Sequence, residues 1–412
     1  MIGELELTFQ VLTPMFLHGS EPRYSPDLRP PSLKGALRFW YRAVDPDFRR
    51  NEPILFGTAS NADQGSGQSL FNLRIEPLKP LRFFTWDDRL ANSFHAGHGT
   101  HRKNGLIYLG YPFQMRKKKG VVSPPPQAID VGTRFKVRCI LPRFGDQEKY
   151  RKAIAASFWL LGHYGGLGSR SRRGFGSIAL LEWKGVRGEW PELEELPLLH
   201  KAITPREWGK TSKDTREMIR NWFPKKWDSS TPMHPHIGEK FTSTLSLKFR
   251  NDKQRFFDQK DWPHGLNEMG RRLQDYRVRH QPDYQNVKDH IEGDKNLRHP
   301  PERVAFGLPL AFQYSSLPKD RRRLQFFPPE QKSPGSTRQK SGPQKSGRHA
   351  SLLHLRLILL NGNLYPLYLR MGGAVPGDAG VAVTMDRPGT PLLPISDNLL
   401  DQFMTFAKGG WK

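Results

Sequence analysis

The sequence predicts an α+β fold, because strand-like and helix-like stretches alternate along its first half. Residues 4–12 (ELELTFQVL) alternate polar and apolar side chains, as does a strand with one buried face. Residues 31–44 (PSLKGALRFWYRAV) have the spacing of an amphipathic helix with Ser32 as its N-cap. The side chains on the expected buried face are Leu33, Leu37, Trp40 and Val44. The chain is therefore predicted to begin with a strand followed by a helix.

The elements that follow complete a β-α-β-β-α-β order. The predicted strands are 70–75, 134–141 and 176–183, and the predicted helix is 146–164. This helix should end in a left-handed turn at Gly165-Gly166. The order is that of a ferredoxin-like unit, whose sheet face and loops often hold single-stranded RNA.

Composition divides the rest of the chain. We predict a first domain over 1–185, a linker rich in Trp, Pro and charge over 186–239, and a second domain over 240–412. The linker should contain a short helix at 213–223. The elements predicted for the second domain are strands at 241–249, 303–314, 351–360 and 364–370, a turn at 361–363, and helices at 266–278 and 397–407. Residues 331–348 hold five basic and no acidic residues, which predicts a low-complexity, disordered insertion.

The charge balance predicts a polyanionic partner. Lys and Arg number 65 against 40 Asp and Glu, so the formal net charge is +25. No apolar stretch is long enough to span a bilayer and no clear basic amphipathic helix appears, which favours nucleic acid over a membrane. The single cysteine, Cys139, excludes an internal disulfide or a cysteine-based zinc site. With no signal-peptide pattern at the start, we expect a cytoplasmic protein without membrane attachment.

Residues 165–177 (GGLGSRSRRGFGS) form what we call the glycine–arginine loop, the most informative segment of the sequence. Glycine allows positive φ and close approach of a ligand, and the arginine fork fits phosphate oxygens. The candidate residues are Arg170, Arg172, Arg173, Gly166, Gly168, Gly174 and Gly176. The loop follows a helix, precedes a strand and lacks a GK[ST] ending, so it is not a nucleotide-binding P-loop. This order argues against ATP or GTP hydrolysis and favours the phosphate backbone of a polymer as ligand.

A second basic element lies on the first predicted helix. Lys34, Arg38 and Arg42 recur every four residues and form one stripe off the expected buried face. Phe39 and Tyr41 stand among them and could stack on unpaired bases while the cations hold phosphates. The stripe is therefore a second candidate RNA-binding surface.

Histidines give two further candidates. His18 follows the first strand, where it could contact RNA or act as general base on a ribose 2′-hydroxyl. No partner acid is specified by spacing, so contact with RNA or backbone is the favoured role. His95, His98 and His101 have a spacing that could bind zinc, but no nearby residue supplies a fourth ligand. We therefore expect neither a metal nor a cofactor.

Several of these stretches together resemble the RAMP proteins of CRISPR systems. More narrowly, they resemble the two-domain RAMP subunit of the type III-B (Cmr) effector. The stretches in the first half are TPMFLHG, RPPSLKGALRFWYRA, LFGTA and GGLGSRSRRGFGS, and those in the second half are RVAFGLPLAF and GRHASLLHLRL. The resemblance covers most of the chain, and its motifs are specific in combination.

The resemblance implies two ferredoxin-like RAMP domains in tandem and a non-catalytic subunit near the guide 3′ end. The implied partners are guide RNA, target RNA and other RAMP subunits, one of which would cut the target. It implies RNA contacts for the helix stripe and the loop arginines, and also for Arg303 and Arg348 in the second domain.

Two alternatives stay open. His18 stands where the family more often has glycine, and a histidine here resembles the guide-processing endoribonucleases of the wider RAMP group. A metal-independent endoribonuclease with His18 as base is therefore the first alternative. The second is a basic ribonucleoprotein or ribosome-associated protein unrelated to CRISPR systems.

Overall fold

A computed structural model describes most of the chain. The described residues are 2–19, 25–58, 67–94, 104–114, 116–118, 121–142, 147–202, 204–227, 234–247, 256–280, 282–320, 322–328, 348–376, 383–385, 392–394 and 399–409. Within them, helices are mixed with sheets whose strands all pair antiparallel. The predicted α+β class is confirmed at this level. None of the helices in these ranges is long and apolar enough to cross a membrane.

Strands and helices are numbered in chain order. The strands are β1 (Gly3–Val11), β2 (Asn72–Pro77), β3 (Phe83–Thr85), β4 (Arg116–Lys118), β5 (Val121–Ser123), β6 (Gln127–Ile129), β7 (Arg134–Leu141), β8 (Ile178–Arg187), β9 (Thr242–Leu245), β10 (Leu310–Gln313), β11 (Arg323–Phe327), β12 (Leu353–Leu360), β13 (Asn363–Arg370) and β14 (Thr384–Met385). The helices are α1 (Pro30–Val44), α2 (Phe48–Phe56), α3 (Asp88–Asn92), α4 (Gly105–Gly110), α5 (Gln147–Tyr164), α6 (Glu192–Glu195), α7 (Pro205–Asn221), α8 (Trp262–Arg279), α9 (Asp283–Glu292) and α10 (Leu399–Gly409).

The first sheet has the strand order β2-β7-β1-β8. The strand β1 lies in its interior, so Leu5, Leu7 and Phe9 are fully buried and Phe9 stacks on Phe135 of β7 at 5.5 Å between ring centroids. Helices α1 and α5 pack against each other, and α5 packs on β8. These are the strands and helices predicted from the β-α-β-β-α-β order, with bounds shifted by a few residues.

Two helix boundaries differ from the prediction for local reasons. Ser32 is not the N-cap of α1, because the helix begins at Pro30, whose missing N–H costs nothing in the first turn. The left-handed turn predicted at Gly165-Gly166 is also wrong, since neither residue has positive φ. Gly165 serves close packing instead: a Cβ there would lie 2.4 Å from the indole Nε1 of Trp40.

The predicted linker and second half contain more helix than expected. The helix α7 starts at Pro205, well before residue 213, because the side chain of Thr204 accepts a hydrogen bond from the Glu207 N–H at 3.1 Å. The strand predicted at 303–314 is a 3₁₀ helix over Glu302–Phe306 followed by β10. The hairpin β12–β13 is confirmed, with its turn at Asn361 (φ 45) and Gly362 (φ 79) in the left-handed conformations of a type I′ turn.

A second sheet has the order β12-β13-β9 and a third has β10-β11-β14. Helices α8 and α10 pack on the second sheet, whose β12 and β13 are almost entirely buried. Strands of the third sheet contribute Phe312 and Phe326 to a small, separate apolar cluster, which also includes Val304.

Hydrogen bonds join the second sheet to the first half of the chain. Arg356 of β12, 2% exposed, donates to the carbonyl of Ile178, and burial lowers its pKa to about 9. The N–H of Leu357 donates to Ser177 Oγ at 3.3 Å, and that of Leu355 to the carbonyl of Arg172 at 3.1 Å. Buried residues of both halves accordingly belong to one hydrophobic cluster. Of the predicted basic insertion, only Arg348 lies within the described residues.

Candidate nucleic-acid interface

The glycine–arginine loop is held against the segment that follows β1. Ser169 donates its N–H to the carbonyl of Phe16 at 2.9 Å, and Gly176 donates to that of Pro14 at 3.0 Å. Within the loop, the N–H of Leu167 donates to the carbonyl of Gly176 at 2.9 Å. Backbone hydrogen bonds therefore fix the loop as a defined structure between α5 and β8.

Three of the four predicted glycines, Gly168, Gly174 and Gly176, have positive φ, and at Gly168 and Gly176 a Cβ would also collide with backbone. Gly168 has φ 86, and a Cβ there would lie 2.5 Å from the carbonyl oxygen of Phe16. Gly176 has φ 63, and a Cβ there would lie 1.8 Å from the carbonyl oxygen of Leu167. Gly166 forms an isolated bridge with Ser177, and Gly174 approaches Leu266 of α8. These glycines serve close backbone packing.

The three loop arginines point in two directions and all touch protein carbonyls. Arg170 donates Nε and Nη2 to the carbonyl of Leu109, and Arg173 donates Nη2 to that of Phe306 at 3.3 Å. Arg172 turns the other way: its guanidinium lies 4.8 Å from the centroid of the Phe39 ring. Burial lowers the pKa of each arginine, and that of Arg173 to about 10. A bound anion would offset this loss of solvation.

The loop separates two cavities. The smaller, about 260 Å³, lies between the first turns of α1 and the loop, with Phe39, Trp40, Tyr164, Arg172 and His354 in its lining. The larger, about 470 Å³, lies between α4, α8 and the loop. Its polar lining residues are Asn104, Tyr108, Tyr111, Arg170, Arg173, Gln274 and Arg277. Among the described residues no carboxylate lines this larger cavity, which we call the arginine cavity.

Two polar atoms in the lining of the arginine cavity are buried without a hydrogen-bond partner among the described residues. They are Nη1 of Arg173, a donor, and Oε1 of Gln274, an acceptor. Arg277 donates Nη1 to the hydroxyl of Tyr108 at 2.6 Å, and the ring of Tyr111 is 61% exposed. The cavity thus offers cations and an exposed aromatic ring, and the two unpartnered atoms lie beneath its surface. A nucleotide can use the first two, since phosphate binds cations and a base stacks on an aromatic ring.

The cation stripe of α1 faces α2 rather than the loop, so the two predicted basic elements do not converge. Arg42 donates Nε and Nη2 to the carboxylate of Glu52, and Nε of Arg38 lies 3.4 Å from the same group. This hydrogen bonding raises the pKa of Arg42. Lys34 Nζ lies 5.3 Å from the centroid of the Phe71 ring, and burial lowers its pKa. The stripe is therefore half-buried and partly neutralised.

One aromatic residue of the stripe is not available for base stacking. Tyr41 is 2% exposed and its hydroxyl donates to Asp45 at 2.5 Å, so the role suggested for it from sequence is wrong. Phe39 is half-buried and lines the smaller cavity instead.

Neutralising Glu52 tests whether the stripe binds RNA. In Glu52→Gln, Arg38 and Arg42 lose their shared anion, so we expect RNA affinity to rise by roughly two- to fivefold at low salt if the stripe contacts phosphates. Fluorescence anisotropy with a labelled single-stranded RNA measures the change. Unchanged or weaker binding in a folded variant would assign the stripe to the packing of α1 on α2.

The remaining predicted residues are dispersed. His18 donates Nε2 to the carbonyl of Gln127 at 2.8 Å. Arg303 pairs with the buried Asp283 at 3.1 Å and lies 4.7 Å from the centroid of the Phe312 ring, whereas Arg348 is exposed. His95, His98 and His101 lie outside the described residues.

Sequence reasoning missed five polar lining residues of the arginine cavity, which are Asn104, Tyr108, Tyr111, Gln274 and Arg277. The first three lie just before, on and just after α4, and the other two lie in the second half of α8. Only the folded chain brings these elements together: a Cβ on Gly270 of α8 would lie 2.1 Å from the carbonyl oxygen of Gly105 of α4. These two glycines were the only sequence signal of the contact between α4 and α8 that we find, and they could not be recognised as a pair because no fixed spacing in sequence relates them.

Known proteins resemble this chain in sequence and in fold. The family model of the RAMP superfamily matches residues 8–179, which include β1, α1, α5 and the glycine–arginine loop. The CRISPR system Cmr subunit Cmr1-2 of Pyrococcus furiosus is 26% identical over 179 residues, which are 41% of this chain and 90% of that protein.

Two solved structures resemble the chain over nearly its whole length. Cmr1 from Pyrococcus furiosus in its apo form superposes with a TM-score of 0.51 at 18% identity, covering 98% of this chain and 96% of that one. A chain in the cryo-EM structure of the type III-B Cmr-beta bound to cognate target RNA and AMPPnP, in the presence of ssDNA, gives 0.50 at 13% identity, covering 99% and 98%. At sequence identities of 18% and 13%, these similarities show a shared fold. Residues 8–179 therefore match the RAMP superfamily model, and nearly the whole chain shares the fold of Cmr1.

Proposed function

We propose that this chain is an RNA-binding structural subunit of a type III-B CRISPR (Cmr) effector. It would hold guide RNA, target RNA or both near the guide 3′ end, next to other RAMP subunits, while another subunit cuts the target. Support comes from the RAMP domain, from the likeness to Cmr subunits and from the net charge of +25.

One observation carries the RNA-binding part of the proposal: the described lining of the arginine cavity contains three arginines and no carboxylate. Arg170, Arg173 and Arg277 converge there, and Nη1 of Arg173 has no protein partner among the described residues. A buried guanidinium with an unused N–H is costly unless an acceptor reaches it. A phosphate oxygen would satisfy that donor and restore the charge balance of the cavity.

We further propose that the chain consists of two ferredoxin-like RAMP domains, over 1–185 and 240–412, joined by the linker 186–239. The order β2-β7-β1-β8 of the first sheet is that of a ferredoxin-like unit, and the second sheet, β12-β13-β9, matches three of those four positions. The proposed RNA contacts remain Lys34, Arg38, Arg42, Arg170, Arg172, Arg173, His18, Arg303 and Arg348, to which we add Arg277.

The geometry of His18 leaves the endoribonuclease alternative open. Its Nε2 donates to the carbonyl oxygen of Gln127, so in the neutral ring Nδ1 is the nitrogen that could act as a general base. Incubation with repeat RNA in EDTA tests the alternative directly. Discrete products that disappear in His18→Ala would replace the structural proposal with a catalytic one.

The salt dependence of RNA binding tests the arginine cavity. We expect log Kd for single-stranded RNA to change steeply with log salt, and each lost phosphate contact to reduce the slope by about 0.7. Arg173→Gln and Arg277→Gln should each reduce both affinity and slope. Both changes also remove a hydrogen bond, to the Phe306 carbonyl and to the Tyr108 hydroxyl respectively, so thermal denaturation must confirm that the variants fold before binding is measured.

Arg279→Gln is the matched control, because it removes the same charge from the exposed last turn of α8, two residues from Arg277. It should leave the slope nearly unchanged. If all three variants lose the same small amount of affinity, binding depends on overall charge and the arginine cavity is not the site.

A further inference from the structure

Strand β9 lies at one end of the second sheet, and its outer edge has no strand partner within the described residues. In the first sheet, β1 pairs with β7 on one side and β8 on the other. In the second sheet, β9 pairs with β13, and no strand of the described part of the chain takes the position that corresponds to β8. A free sheet edge exposes backbone donors and acceptors that another strand can pair with.

The register identifies the backbone groups on the free edge. Ser246 donates its N–H to the carbonyl of Pro366 at 2.9 Å, so Thr244 and Thr242 also turn their N–H and C=O groups towards β13. By the same alternation, the N–H and C=O groups of Ser243 and Leu245 face outwards. The free edge therefore presents pairs of donors and acceptors at strand spacing.

A groove of about 590 Å³ runs between this edge and α7. Its apolar lining includes Trp208, Phe241, Leu245 and Leu247, the last 38% exposed. Its charged lining residues are Arg206, Lys213, Arg216, Arg220, Lys408, Glu217 and Glu239. Five cations thus stand against two carboxylates, one of which, Glu217, already lies 3.9 Å from Lys213.

We propose that β9 and α7 bind an extended, acidic segment of a partner protein, which adds to the sheet as a strand beside β9. Backbone pairing would fix the segment along Ser243 and Leu245. Its alternate side chains would meet the apolar floor, and its carboxylates would meet the exposed Lys213 and Arg220. The alternating donors and acceptors of the edge favour a peptide over RNA, because a peptide backbone repeats the same alternation at strand spacing and the phosphates of RNA would repel the edge carbonyls.

Arg216 prepares the groove for such a segment. Its guanidinium lies 4.6 Å from the centroid of the Phe241 ring, and its Nη1 donates to Ser243 Oγ at 3.4 Å. The Arg216 side chain therefore packs on Phe241 and bonds to the Ser243 side chain, and none of its contacts named here involves the outward backbone groups of β9. The four other cations of the groove are exposed along its length.

Fluorescence anisotropy with designed peptides tests the proposal on the full chain. The probe is a fluorescein-labelled decapeptide of alternating valine and glutamate. We expect saturable binding, and a loss of roughly tenfold or more when alternate backbone nitrogens of the peptide are methylated or when lysine replaces glutamate. The double variant Lys213→Glu, Arg220→Glu should lose a similar factor, and Lys79→Glu, on an exposed site outside the groove, should not.

A variant of the edge itself gives a second readout. Ser243→Pro removes an outward N–H without breaking a hydrogen bond to β13, so it should weaken peptide binding and leave the denaturation midpoint nearly unchanged. Absence of saturable binding up to about 1 mM peptide would overturn the proposal, since a Kd weaker than that is too weak for a specific strand-addition complex. Equal binding of the methylated peptide, or displacement of the probe by a uridine decamer, would also overturn it.

Discussion

Replacing Gly176 by alanine should lower the free energy of unfolding by about 4 kcal/mol, enough to unfold a large fraction of a marginally stable protein. The new methyl group would stand 1.8 Å from the carbonyl oxygen of Leu167, and the residue has φ 63. Relief requires the loop to move away from Leu167 and Pro14, which breaks two backbone hydrogen bonds. The cost therefore combines left-handed strain with lost pairing.

Urea denaturation followed by circular dichroism measures this loss. Gly209→Ala is the matched control, because no atom lies within 4 Å of a Cβ placed on that helical glycine. It should gain about 0.5 to 1 kcal/mol from helix propensity. A Gly176→Ala protein as stable as the parent would mean that the loop adapts, which would remove the case for a rigid RNA-binding loop.

Acidification from pH 7 to pH 5 should destabilise the fold through its buried histidines, by up to about 2 kcal/mol for each one that stays neutral. Burial lowers the pKa of His163 from 6.5 to about 3 and the pKa values of His234 and His236 to about 4. Burial also lowers that of His354, which stands near the Arg172 and Arg173 cations. The unfolded chain binds protons from about pH 6.5 downwards and the folded chain resists them. The histidines therefore make their full contribution to the free energy of unfolding above about pH 6.5. That contribution is lost as the pH falls towards their pKa values in the folded chain.

His163 isolates one part of this effect. It is 6% exposed, its Nδ1 donates to the Trp159 carbonyl, and its Nε2 accepts the Leu199 N–H at 3.1 Å, so the neutral ring is fully used. In His163→Gln, the stability difference between pH 7 and pH 5 should shrink by about 2 kcal/mol, whatever the variant loses at pH 7. Urea denaturation at both pH values measures it. A parent protein of equal stability at both would refute the linkage.

Local patterns were sufficient to predict the first sheet and its two helices. The alternation in 4–12 and the one-sided apolar face of α1 both persist in the fold, with Leu33, Leu37, Trp40 and Val44 buried. The hairpin turn at Asn361-Gly362 was equally local. By contrast, the helix start at Pro205 and the 3₁₀ helix at Glu302–Phe306 depend on capping and on tertiary contacts that periodicity does not register.

The site was predicted only in part, because burial and pairing are properties of the fold. Periodicity placed Lys34, Arg38 and Arg42 on one stripe. It could not predict that Glu52 of α2 would form ion pairs with Arg38 and Arg42. It placed Arg170, Arg172 and Arg173 in one loop, but alternating directions along an irregular backbone send Arg172 to a different cavity from its neighbours. Arg277 and Tyr111 join the site only through the packing of α8 on α4.

The hydrogen bonds between the loop and β12 have a consequence for how the protein forms during synthesis. Ser177 and Leu357, which share one such bond, are 180 residues apart in sequence. At the usual rate of translation, the ribosome needs roughly 10 to 40 seconds to add that many residues. During this interval the loop lacks the β12 backbone that completes it. Binding-competent protein should therefore appear only after β12 has left the ribosome, and chains arrested before it should not acquire the mature loop.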